Sequence, residues 1–126
     1  MVIFSDYNNF PKVKFVLSEK LTNDDFTYLT SQWLDIYKLN KEFNLEFCTK
    51  YLKFVNPILS IYMAFFIRKI KKFNPQFLQF SRINIYNKHI FNLANFIFYL
   101  EKPVAPVYLY LLDNNDIILK EEIIYP

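Results

Sequence analysis

Residues 80–112 read FSRINIYNKHIFNLANFIFYLEKPVAPVYLYLL. The opening stretch, Phe80–Asn87, is rich in β-branched and aromatic side chains and predicts a strand. Asn87 then stands where a helix N-cap belongs, ahead of a helix from about Lys88 to Leu100. In it Ile90, Leu93, Ala94, Ile97 and Phe98 recur at helical spacing on one side. Pro103 breaks that helix, since proline lacks the backbone donor a helix interior needs. Val107–Leu112 is an apolar run without alternation, which predicts a strand at the centre of a sheet. Strand, helix and strand in this order form a crossover unit, whose two strands run parallel.

The same alternation extends backwards. Asn44–Thr49 (NLEFCT) alternates and predicts a strand; Lys50–Val55 is a connection. Asn56 caps a second helix, opened by Pro57 and running to about Phe73, where Asn74-Pro75 stops it. Its first eleven residues are nearly all apolar, which predicts a helix that meets little water, with the basic tail Arg68-Lys69-Ile70-Lys71-Lys72. Lys12–Ser18 (KVKFVLS) predicts a strand after the polar turn Asn8-Asn9-Phe10-Pro11, with Val2–Phe4 as a short partner. The first helix spans about Asn23 to Leu39. Thr22 is its N-cap, Asp24 and Asp25 suit the positive end of the dipole, and Lys38 suits the negative end. Its apolar face is Phe26, Leu29, Trp33, Ile36 and Tyr37. After Val107–Leu112, Asp113-Asn114-Asn115-Asp116 makes a turn and Ile117–Ile124 returns as a hairpin. No internal repeat or linker divides the chain. Residues 1–126 therefore read as one small α/β domain, with a four- to five-stranded mixed, mostly parallel sheet and three main helices.

Composition narrows the function. The chain has no glycine, yet 53% of it is hydrophobic and 21% aromatic. Phosphate-cradling loops, dinucleotide fingerprints and nucleophile elbows all need glycine for close backbone approach or positive φ, so none is present. Fifteen Phe and ten Tyr supply a core without help from metal or disulfide. Phe, Tyr, Met, Ile, Asn and Lys make up 67 of the 126 residues, against 11 for Gly, Ala, Arg and Pro. That bias matches an A/T-rich genome, as in many large DNA viruses, some parasites and some bacteria, and leaves loops to be built from Asn, Asp and Pro. A single cysteine, Cys48, fits a reducing compartment, and a net charge of +3 demands neither nucleic acid nor membrane. Met1–Phe4 runs at once into polar residues, unlike a secretory signal. The longest uncharged stretch, Phe54 to Ile67, spans about 21 Å as a helix. That is short of a hydrocarbon core of about 30 Å.

Reactive constellations are scarce. His89 is the sole histidine, at a helix start with no Ser or Asp at a telling spacing, and reads as structural or surface. Cys48 closes a strand and reads as a small buried hydrophobe rather than a nucleophile. One Cys and one His cannot assemble an ordinary zinc site, so no metal and no cofactor are expected. Asp24-Asp25, Glu121-Glu122, Asp113 and Asp116 fit cap, edge and turn roles. Arg68, Lys69, Lys71 and Lys72 are favoured at a helix C-terminus by the dipole, whatever the function. Phe73 and Phe77 beside them are expected to pack inward, which leaves no aromatic-basic surface for specific nucleic-acid binding.

From about Asn44 to Leu111 the chain resembles the STAS domain, the fold of bacterial anti-sigma-factor antagonists, and the small STAS-like proteins of giant DNA viruses. The resemblance rests on Asn44–Thr49 as strand, the loop, Val55-Asn56-Pro57-Ile58-Leu59 opening a helix, Phe80–Asn87, the next helix, and Lys102-Pro103-Val104-Ala105-Pro106-Val107 leading into a strand. In the antagonists an Asp-Ser-Ser-Gly-like motif with a phosphorylated serine opens the matching helix. Here that place reads Asn56-Pro57-Ile58-Leu59, with Ser60 the nearest hydroxyl, so the phosphoserine switch is lost. The resemblance implies a non-enzymatic protein whose docking edge is the loop Lys50–Val55 and the following helix end.

The expected function is a non-catalytic protein-interaction module, of the kind a large DNA virus would encode, acting inside the host cell or in a particle. The partner-binding residues expected are Lys50, Tyr51, Lys53, Asn56 and Ser60. Two alternatives stand beside it. One is a structural subunit of a viral particle or other assembly, or a homodimer through the Ile117–Tyr125 edge. The other is lipid or small-molecule binding in an apolar cleft between sheet and helices.

Overall fold

A computed structural model describes residues 3–6 and 9–126; Val2 and Asn8 of the expected first strand and turn lie outside them. Eleven elements follow one another: β1 (Ile3–Asp6), β2 (Lys12–Leu17), β3 (Lys20–Leu21), α1 (Asn23–Tyr37), β4 (Phe43–Cys48), β5 (Phe54–Val55), α2 (Ile58–Ile70), β6 (Leu78–Ile85), α3 (Lys88–Leu100), β7 (Val107–Leu112) and β8 (Ile118–Ile124).

Local chemistry sets the helix limits. Thr22 and Asp25 form a reciprocal capping box, the Asp25 N–H donating to Thr22 Oγ1 and the Thr22 N–H to Asp25 Oδ2 at 2.8 Å. Asn87 caps α3 by accepting the His89 N–H at 2.7 Å and the Ile90 N–H at 3.4 Å. Asn56 accepts the Ile58 N–H at 3.1 Å, while Pro57 holds the helical backbone just ahead of α2. With no glycine to end α1, Asn40 takes the left-handed conformation at φ 55, and Asp116 does the same at φ 63 in the β7–β8 turn. Asn and Asp tolerate that region better than other side chains. The loops are built as the composition requires.

The main sheet has the order β1-β2-β4-β6-β7-β8. β2, β4, β6 and β7 run parallel, and β1 and β8 add antiparallel at the two margins. The four main strands and the returning hairpin strand are thus those expected from the sequence, joined by a short N-terminal partner. β7 is not central: it lies between β6 and the marginal β8. Its apolar character has another source, because one side carries buried Val107 and Leu109 and the other the half-buried Tyr108 and Tyr110. The connection after β4 also holds more order than expected, since β5 pairs in parallel with β3 as a separate two-stranded sheet.

The parallel strands lie across the sheet in chain order, so every crossover steps the same way. Right-handed crossovers stepping one way put all their helices on one face. Burial follows this geometry. Val13, Phe15, Phe43, Leu45, Ile85 and Leu109 are fully enclosed beneath α1, α2 and α3. Phe15 stacks on Phe47, and Trp33 of α1 bridges Phe47 of the sheet and Phe66 of α2. Each such side chain contributes about 1.5–3 kcal/mol by leaving water. The other face carries Lys14, Glu46, Arg82 and Tyr108 in one row of register, and no helix covers it.

One expectation is overturned. α2 does meet water: Ile58, Ile61, Tyr62 and Phe65 are exposed, while Leu59, Phe66, Ile67 and Ile70 are buried. The helices form a single layer, so α2 has the sheet below it and its neighbours beside it, and none of the described elements lies over its outer side.

Candidate functional site

The C-terminal ends of parallel strands are where open α/β sheets ordinarily bind ligands, in a crevice made where strand order reverses. Here the order does not reverse and no such crevice forms. What gathers at that end is a surface. Lys50 sits within 3.9 Å of Asp116 and 5.8 Å from the Tyr86 ring centre. The Tyr86 hydroxyl donates to Asp116 Oδ1 at 2.8 Å. Partial burial, then the hydrogen bond and negative charge of Asp116, push the Tyr86 phenol up to about 12, so it stays protonated at neutral pH. The cluster ties the β4–β5 connection to the end of β6 and the β7–β8 turn. It staples loops and offers no nucleophile.

Of the five predicted contact residues, four lie on the surface. Lys50, Tyr51, Lys53 and Asn56 are exposed, with Lys53 loosely paired to Glu19 at 4.0 Å and Asn56 engaged as the cap of α2. Ser60 does not belong with them. It is 2% exposed and faces inward, because α2 turns about 100° per residue and carries its third residue past the exposed apolar stripe to the sheet side. Sequence reasoning missed the residues that replace it: Phe54, and the Ile58, Ile61, Tyr62, Phe65 series at spacings of three and four. The signal was present, since α2 is apolar on more of its circumference than one buried face requires. Only the single-layer arrangement shows which part is left uncovered. Lys20 lies 5.9 Å from the Phe54 ring centre and Arg68 the same distance from that of Phe65, so cations rim both ends of the stripe.

Two of the four cations in the basic tail of α2 are engaged within the fold. Arg68 and Lys71 both bind the carboxylate of Glu101, the C-cap of α3. Phe73 packs edge-on against Tyr37, its ring centre 4.8 Å away, and Phe77 is half-buried against the core, as expected. His89 is exposed in the first turn of α3, and Cys48 lies on the uncovered sheet face at the end of β4. Among the described residues no group of three or more His, Cys, Asp or Glu is placed to hold a metal ion, and no helix is long and apolar enough to cross a membrane.

The uncovered sheet face is neutralised within itself. Glu46 is set between Lys12 at 3.4 Å and Lys14 at 3.7 Å, and Arg82 lies over the Tyr110 ring at 4.4 Å while donating to Asn84 Oδ1 at 3.0 Å. Its cations already have partners.

Beneath the helices lies a cavity of about 150 Å³, walled by the sheet, α2, α3 and Phe26, Leu29 and Trp33 of α1. Native cores rarely keep voids larger than a water. An empty space of this size costs on the order of 3–4 kcal/mol against a filled core.

Compared with known proteins, the chain matches no family model, no curated protein and no solved structure.

Proposed function

We propose that this chain is a non-catalytic protein-interaction module that docks its partner on the outer face of α2 and the connection before it. The observation that carries this is the row Ile58, Ile61, Tyr62 and Phe65, all exposed on one side of one helix, with Tyr51 and Phe54 exposed in the connection before it. Scattered exposed apolar side chains are ordinary, but a contiguous row with a cationic rim fits a partner protein laying an apolar ridge against it. Lys50, Lys53 and Asn56 belong to the rim of this surface. The STAS-like pattern of residues 44–111 agrees with the reading, because that family docks through the corresponding loop and helix end. A large DNA virus remains the proposed source, on composition.

The test is quantitative capture from the native host with the unmodified chain and a Phe54→Ala, Ile61→Ala, Phe65→Ala variant. Loss of specific partners from the variant, with unchanged melting, supports the reading. An identical partner set from both overturns it.

A second reading, a structural subunit that self-associates, is favoured by β8. This marginal strand exposes Ile118, Leu119 and Ile123, with Ile117 and Tyr125 beside it, along an unpaired edge that invites strand addition. Light scattering over a range of concentrations separates the two, since a strict monomer removes self-assembly.

A further inference from the structure

We propose that the cavity under α2 and α3 is a binding site for a neutral, apolar molecule about the size of one aromatic ring or a six-carbon chain. Independent of the docking face, this rests on who forms the wall. No charged residue lines the cavity, which excludes an ionised ligand group inside it. Its small members come from four separate segments: Ser60 of α2, Ser81 of β6, Ala94 of α3 and Ala105 of the segment before β7. The chain has only three alanines, and two of them are here. In a sequence so rich in Phe, Tyr and Ile, a larger side chain at any of these positions would close the space. Filling it was open to the sequence, and the fold leaves it open.

Four polar side chains belong to the wall: Ser60 and Ser81, 2% and 5% exposed, Thr49, whose hydroxyl donates to the Asn84 carbonyl at 2.9 Å, and Trp33, whose buried indole N–H has no partner among the described residues. A ligand hydroxyl or carbonyl would meet the serine hydroxyls. Access follows from half-buried Leu21, Phe26, Val55 and Met63, which bring the wall to the surface near the N-terminal turns of α1 and α2. A dry cavity of about this volume is known to accept benzene or xenon, which fixes the size class.

The experiment is thermal and chemical unfolding with benzene, alongside an Ala94→Leu variant whose added side chain occupies the space. Benzene at ten times its Kd lowers the unfolding constant of the unmodified protein about elevenfold. The variant melts higher without ligand and shows no benzene response. Absence of a saturable benzene effect overturns the proposal, as does an equal effect in the variant. Stabilisation by decanoate but not by benzene overturns the size class. Should Ala94→Leu fail to fold, crystals of the unmodified protein under xenon decide: a xenon atom between Ala94 and Ala105 supports the site, and none there removes it.

Discussion

Arg68 Nε of α2 donates to Glu101 Oε1 at 2.8 Å, while Lys71 holds the other carboxylate oxygen, so the C-terminal ends of two neighbouring helices close on one acid. Cations are favoured at a helix C-terminus and a lone carboxylate is not. Glu101 is tolerable at the end of α3 because α2 delivers two positive charges to it. Hydrogen bonds from Lys71 and then Arg68 hold its carboxyl below the ordinary value of 4.5.

The sign of the pH effect follows. A depressed folded pKa gives stabilisation that is whole above about pH 4.5 and lost as pH falls through the folded value. Glu101→Gln should therefore melt below the unmodified protein at neutral pH, with the two curves converging in acid. A pH-independent gap would show that the carboxylate charge is not the source.

Gln76 joins three elements by its amide. The buried Tyr37 hydroxyl of α1 donates to its Oε1, its Nε2 donates to the Ile70 carbonyl of α2 at 2.9 Å, and the Leu78 N–H of β6 reaches Oε1 at 3.4 Å. Burial raises the Tyr37 phenol, so it remains a donor throughout the physiological range. Gln76→Ala strands that hydroxyl and should cost about 1–3 kcal/mol in denaturant unfolding. In the Tyr37→Phe background the same substitution should cost less, and a double-mutant cycle with no coupling would refute the link.

Asn40 ends α1 at φ 55, where most chains would place glycine. Asn40→Gly should leave stability within about 0.5 kcal/mol, relieved strain being offset by a freer unfolded chain. Asn40→Val, β-branched in a region that resists it, should lose about 1–2 kcal/mol. Equal behaviour of the two in denaturant titrations would show that backbone conformation does not govern this position.

Much of this arrangement is written locally in the sequence. Thr22, Asn56 and Asn87 act within one turn of the chain, and each sits at a helix start in the structure. The α1 face of Leu29, Trp33, Ile36 and Tyr37 follows from spacing alone. What stayed hidden depends on strand order. Ser60 and Phe65 have the same apolar neighbourhood in sequence, yet one is enclosed and the other exposed, because order β2-β4-β6-β7 puts every helix in one layer. β5 was invisible for a related reason: two residues pair only because β3 arrives beside them. The 150 Å³ cavity is likewise a property of assembled walls from four segments, with no local mark beyond scarce alanines.

Phe65 and Phe66 offer the sharpest comparison within one turn of α2. They are adjacent and chemically identical, but Phe65 is 57% exposed beside Arg68, whereas Phe66 is 8% exposed with its ring centre 5.0 Å from that of Trp33. If the outer side of α2 is free for a partner, Phe65→Ala should change folding stability by no more than about 0.5 kcal/mol. Phe66→Ala should cost about 3–5 kcal/mol, since it opens a cavity between α1, α2 and the sheet. Urea titrations of both variants measure the difference. A large loss at Phe65 would mean that this side of α2 is spent on the fold itself, and the docking surface would have to be sought on β8 or the uncovered sheet face.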